Sequence, residues 1–145
     1  MDMIMRSLVF GSIGLLLAAC AGNRVAEREQ ARLELAESLA GEPVESVWYQ
    51  RLQNWEPLAE DRLIVWTRVN EAWLLDVQRP CSELRWAQGI SIPTTSRQIR
   101  TNFDSVQVRH QRCRITRIRP LDARALRQGG DMRRIEQAQD EAGGT

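Results

Sequence analysis

The sequence predicts an α+β fold, with an N-terminal helix and a small antiparallel sheet of five to seven strands curled toward a barrel. Three observations carry this. Ala31, Leu35 and Leu39 recur at four-residue spacing, and Leu33, Ala36 and Ala40 widen the apolar stripe. From Val44 onward the chain changes to short β-prone runs separated by turn residues. Two of those runs, Leu63–Thr67 and Ala72–Val77, flank Arg68-Val69-Asn70-Glu71 and read as a hairpin with a four-residue loop.

The chain begins with Met1–Ser7, which carries Arg6 offset by Asp2, followed by twelve uncharged residues, Leu8–Ala19. A helix needs about 20 apolar residues to span a bilayer. The run therefore fits the apolar core of a secretory signal. It ends in Leu17-Ala18-Ala19-Cys20, which resembles the lipobox of bacterial lipoproteins. That resemblance implies removal of residues 1–19, a diacylglycerol on the Cys20 sulfur and acylation of the new amino group. Each buried methylene contributes about 0.8 kcal/mol, so several chains on one residue anchor it firmly. Ala21 at the next position, rather than Asp, favours the outer membrane over the inner by resemblance to the sorting rule of enteric bacteria.

Residues 20–43 form the lipidated N-terminus and helix. Asn23 is a fair N-cap, Gly41 a fair C-cap, and Pro43 stops the helix. Such a helix could lift the domain off the membrane or pack on the sheet, and its apolar stripe favours packing. Residues 44–127 form the β-rich domain. Val44–Tyr49 is a short strand and Asn54-Trp55-Glu56-Pro57 a turn. In the hairpin register Trp66 lies opposite Trp73. Gly89–Ile92, Gln98–Phe103, Ser105–His110 and Arg114–Ile118 are further strands, and Pro120 ends the last. Leu121–Arg127 allows a short helix with Asp122 near its start. Residues 128–145, which include Gly129-Gly130 and Gly143-Gly144, read as a disordered tail.

Lipidation of Cys20 leaves Cys81 and Cys113, an even pair in an oxidising compartment, and a disulfide between them is expected. The competing reading is a metal site using His110 and Cys113, but one His and two Cys cannot close a zinc site. No cofactor and no metal are expected.

The segments "GEPVESVWY", "NWEPLAEDRLIVWTRVNEAWLLDV", "PCSEL", "ISI" and "IRPLDARAL" are together similar to a family of small proteobacterial envelope proteins of unknown function. The resemblance runs from about Gly41 to Arg127. It implies the same domain boundaries and a paired Cys81 and Cys113, and it transfers no catalytic residue.

Composition excludes several chemistries. All twenty basic residues are Arg, so no Schiff-base lysine, P-loop lysine or Ser-Lys dyad exists. No GxSxG, HExxH, glycine-rich phosphate loop or CxxC is present. His110 is the single histidine, and it reads as a strand-end surface residue.

Charge is uneven. Residues 21–61 hold nine acids against four arginines, and residues 62–145 hold fifteen arginines against nine acids. The densest block is 97–127. Arg112, Arg114, Arg117 and Arg119 are candidate anion-binding residues, because guanidinium groups hold phosphate or carboxylate with two hydrogen bonds. Arg112 and Arg114 share one strand face. Arg117 and Arg119 break the alternation, which signals a bulge or the strand's end. The plainer reading pairs this block with the acidic helix inside the fold. The export signal argues against nucleic acid as a partner.

Five tryptophans read mainly as core and cross-strand packing, with Trp55 the candidate exposed aromatic. The expected function is a lipid-anchored, periplasm-facing, non-enzymatic module. It would bind an envelope protein or an anionic envelope component, or serve as a structural part. The rival is a hydrolase-like enzyme acting on cell-wall or lipid material through carboxylates such as Asp76, Asp104 and Asp122. Oligomeric state does not follow from the sequence.

Overall fold

A computed structural model describes residues 22–143. The expected signal segment and Cys20 lie outside the described residues, as do Gly144 and Thr145. The chain divides into two compact units, residues 1–31 and 32–145. Helix α1 covers residues 22–39. Its first ten residues belong to the first unit and are almost wholly exposed helix. All that follows concerns the second unit.

Seven strands follow α1: β1 (Ser46–Trp48), β2 (Asn54–Ala59), β3 (Arg62–Arg68), β4 (Glu71–Val77), β5 (Gln98–Arg100), β6 (Ser105–Val108) and β7 (Gln111–Leu121), and helix α2 (Ala123–Gly143) closes the chain. Five strands form an antiparallel sheet in the order β2-β3-β4-β7-β6, and β1 pairs with β5. The five-stranded sheet is a curled half-barrel.

The central strands are apolar on both faces because both faces are covered. Leu63 and Val65 of β3 and Leu75 and Val77 of β4 point into the larger core with Ile99, Val106 and Ile115. Their alternate neighbours Ile64, Ala72 and Leu74 point the other way, onto Ala36 of α1 and Leu126 of α2. Period-two alternation thus feeds two cores from one sheet. The later part of α1 uses the predicted stripe: Ala36 is fully buried, and Leu35 and Leu39 pack beside it.

β7 serves two neighbours. Its first half pairs with β6 from Val108↔Gln111 to Ser105↔Arg114. Its second half pairs with β4 from Val77↔Ile115 to Ala72↔Leu121. Between them the register skips Thr116, since Asp76 faces Arg117 while Val77 faces Ile115. This is the bulge expected near Arg117. The Cys81–Cys113 disulfide, with a Cα–Cα distance of 5.9 Å, ties the loop after β4 to β7. Gln111 grips the same loop, donating to the Pro80 carbonyl and accepting from the Glu83 amide.

Several expectations need correction. Asn54–Pro57 is not a turn but the start of β2. Pro57 is tolerated there because β2 is an edge strand, where a missing N–H breaks no ladder on the open side. The β3–β4 hairpin closes on two residues, Val69 and Asn70, with Arg68 facing Glu71. Thr67 is bulged, so Trp66 faces Ala72 and Trp73 faces Val65. The two tryptophans therefore lie on opposite faces of the sheet.

Residues 89–92 form no strand, and only Ser91 bridges to Gln107. β5 stops at Arg100, because the Asp104 carboxylate accepts from the Arg100 amide and folds the chain back. β7 runs through Pro120 to Leu121.

The largest departure is residues 128–143, which are helical rather than a disordered tail. Asp122 caps α2, accepting from the amides of Arg124 and Ala125. Gly129 sits where α2 crosses Leu35, and a Cβ there would lie 2.8 Å from Leu35 Cδ2. A glycine that reads as a helix breaker is the residue that lets the two helices approach. Among the described residues no helix is long and apolar enough to cross a membrane.

Candidate functional site

Val47 is the buried residue of β1, so alternation turns Ser46 and Trp48 outward. Trp48 is 64% exposed, a large apolar area for a surface side chain. The chain leaves β1 through residues 49–53. The Tyr49 amide donates to the Arg97 carbonyl, and the Gln53 amide donates to the Trp66 carbonyl. Tyr49, Leu52 and Trp55 pack against the larger core. Burial raises the Tyr49 hydroxyl above its ordinary pKa of 10.0, with a hydrogen bond to the Leu52 backbone working against it.

Because these side chains face inward, Gln50, Arg51 and Gln53 face out. With Trp48, Thr67 and Arg68 they line an open cleft of about 580 Å³. Such a volume suits a small ligand or the end of a polymer.

Within the cleft the Gln53 amide lies against Arg51, and assigning its oxygen to that side lets it accept from Nε at 3.3 Å and Nη2 at 3.2 Å. Arg51 has no carboxylate partner among the described residues. Arg68 meets Glu71 at 3.2 Å, but its side chain is largely exposed and the contact is screened by water. Thr67, placed by the bulge, accepts a hydrogen bond from Trp73 Nε1 at 3.2 Å. Its own hydroxyl proton is left to donate. The cleft thus offers a ring face, two guanidinium groups and two side-chain amides, and its lining contains no carboxylate.

The structure separates the four candidate arginines. Arg119 is buried on the face beneath α1. It donates to Glu37 at 2.7 and 3.2 Å and to Asp76 Oδ1 at 3.1 Å. Arg117 donates to Asp76 Oδ2 through Nε at 2.8 Å, and its Nη2 contacts the same oxygen. Arg62 adds a third guanidinium, 3.2 Å from Glu37. Arg119 is therefore an internal ion-pair residue, which corrects its reading as an anion-binding group, while the Arg117 side chain is 44% exposed with its guanidinium held by Asp76. Arg112 and Arg114 are exposed on β7.

The hydrogen bond from Arg119 holds the Glu37 carboxyl below its ordinary value, with Arg62 and Arg117 adding to the effect. The same bond raises the Arg119 pKa further. Arg32 of α1 forms a second anchor, gripping Glu56 at 2.8 Å through Nε and again through Nη2. Of the acidic helix, Glu37 pairs with Arg62 and Arg119 of the basic half of the chain.

The carboxylates weighed for catalysis are all engaged elsewhere. Asp76 holds Arg117 and Arg119, Asp104 folds the turn after β5, and Asp122 caps α2. Cys113 is bonded to Cys81, so it cannot ligate a metal with His110, which sits in the exposed β6–β7 turn. Trp55 is half-buried against the core, which corrects its reading as the exposed aromatic. The exposed tryptophans are Trp48 and Trp86, the latter 74% exposed beside Arg85.

The sequence reading missed Arg51, Gln53 and Arg68. The signal for them was local: in "VWYQRLQNW" the polar Gln50, Arg51, Gln53 and Asn54 interrupt apolar residues across the β1–β2 connection.

Fold and cleft define a small α+β domain with an aromatic, cationic groove. A profile described as a family of unknown function (DUF6491) matches residues 3–137, and the chain belongs to this family. No curated protein and no solved structure matches the chain.

Proposed function

We propose that this protein is a lipid-anchored envelope protein, held through Cys20 and facing the periplasm from the outer membrane. It acts there as a non-enzymatic binding module whose ligand sits in the Trp48 cleft. The observation that carries the binding reading is the lining itself. An exposed indole and two guanidinium groups surround an open groove that contains no acid or base able to move a proton near neutral pH. A hydrolase of the carboxylate type needs an acid and a base converging on one cleft, and Asp76, Asp104 and Asp122 are held elsewhere.

The address rests on the lipobox-like Leu17–Cys20, and the paired Cys81 and Cys113 suit an oxidising compartment. Place a photo-reactive residue at Gln50 in the full chain, irradiate growing cells, and separate the envelope. The expected result is a discrete adduct from Gln50 and none from the same residue at exposed Arg124. Equal yields from both positions contradict a binding cleft.

A further inference from the structure

Resting on the cleft as a binding site, we propose that its ligand is an acidic saccharide: a pyranose ring carrying a carboxylate. Each part of the lining matches one part of that chemistry. The exposed face of Trp48 suits the C–H face of a sugar ring, which is apolar on one side and hydroxylated at its rim. Gln50 presents a donor and an acceptor, and the Gln53 amide nitrogen a further donor, for neighbouring hydroxyl or acetamido groups. Thr67, held by Trp73 Nε1, borders the cleft from the bulge.

Arg51 supplies the charge recognition. Gln53 braces one edge of its guanidinium through Nε and Nη2, which leaves Nη1 and the second Nη2 hydrogen for an anion. A braced guanidinium loses less freedom on binding than a free one. Arg68 stands in the same lining with its charge shared by Glu71 at 3.2 Å, which leaves Arg51 as the main cation for the ligand. A neutral sugar leaves Arg51 without a counter-charge, and a flat aliphatic anion leaves the indole face uncovered. The volume of about 580 Å³ holds roughly two sugar rings.

The test is a calorimetric titration of the domain without its signal segment, with Cys20 replaced by Ser so that the chain stays in solution. Two acidic disaccharides separate the sources: one of N-acetylglucosamine and N-acetylmuramic acid, as in cell-wall glycan, and one ending in a uronic acid, as in capsular polymers. The neutral comparator is a disaccharide of N-acetylglucosamine alone. Saturable binding of either acidic disaccharide is expected, with the neutral one about tenfold weaker or more.

Trp48→Ala and Arg51→Gln should each weaken the acidic ligand by about tenfold or more, with unchanged thermal melting. Equal affinity for the neutral disaccharide overturns the proposal. So does unchanged affinity in both variants, or tighter binding of an acidic tetrapeptide. No saturable binding alongside a Gln50 adduct in cells also overturns it, while leaving the cleft as a binding site for another ligand.

Discussion

Arg119 of β7 closes on Glu37 of α1 with both terminal nitrogens, at 2.7 and 3.2 Å. One of those nitrogens also reaches Asp76 of β4 at 3.1 Å, so a single guanidinium joins a helix to two neighbouring strands. The contact sits above the smaller core, where Ala36 meets Ile64 and Leu74. It sets the seating of the helix on the sheet rather than a site for outside anions.

Removing Arg119 leaves Glu37 and Asp76 close together with reduced compensation. Arg119→Met should lower unfolding free energy by about 2–3 kcal/mol, less than for an isolated buried pair because Arg62 and Arg117 remain. Exposed Arg114→Ala should change it by less than about 0.5 kcal/mol. Urea denaturation of both variants measures the contrast, and equal effects contradict the internal role of Arg119.

The Glu37 carboxyl, held below its ordinary value of 4.5 chiefly by Arg119, makes stability depend on pH. The unfolded chain takes up this proton at higher pH than the folded chain does. The stabilisation is therefore complete above about pH 4.5 and is lost as pH falls through the lower folded value. Glu37→Gln should melt lower than the wild type above that pH and show a shallower fall below it, so that the two converge in acid. Parallel melting curves across the acid range contradict the linkage.

Gly129 and Gly130 should respond oppositely to alanine. A Cβ at Gly130 meets only Arg32 Nη1, at 3.4 Å. Gly130→Ala should therefore gain most of the helix-propensity difference, about 0.5–1 kcal/mol. At Gly129 the new methyl meets Leu35 at 2.8 Å, and displacing that side chain cancels or reverses the gain. Thermal melting of both variants tests this. Equal stabilisation would mean that the helices do not meet at Gly129.

Opening the Cys81–Cys113 bridge, whose cysteines are 32 residues apart, should cost about 3–4 kcal/mol in the chain-entropy account. Denaturation with and without reductant measures it. Cys81→Ser should match the reduced wild type and show no further loss in reductant. An unchanged midpoint on reduction contradicts the staple.

How much was legible in the sequence follows from how local each signal was. The α1 stripe, the β3 and β4 runs and the β7 bulge are patterns within one element, and they appear where the alternation puts them. The pairing of Cys81 with Cys113 needed only parity and compartment. Pro57 and Gly129 misled because their meaning is tertiary. One is tolerated at a sheet edge, and the other is required by a neighbouring helix. Trp66 and Trp73 were set opposite one another because a bulge at Thr67 shifts the register by one residue, which no periodicity displays. Arg119 looked like surface charge because its partners lie on β4 and α1, far away in the chain. The cleft was hidden for the same reason, since the β1–β2 connection and the β3–β4 hairpin meet only in the fold.

The central claim, a lipid-anchored protein of an oxidising envelope compartment, is tested most directly by intact-mass spectrometry of the chain purified from membranes without reductant. The account predicts a chain beginning at Cys20, carrying diacylglycerol and an amide-linked acyl group, with Cys81 and Cys113 oxidised. A chain that retains residues 1–19, or one matured without acyl groups and with both thiols free, contradicts it.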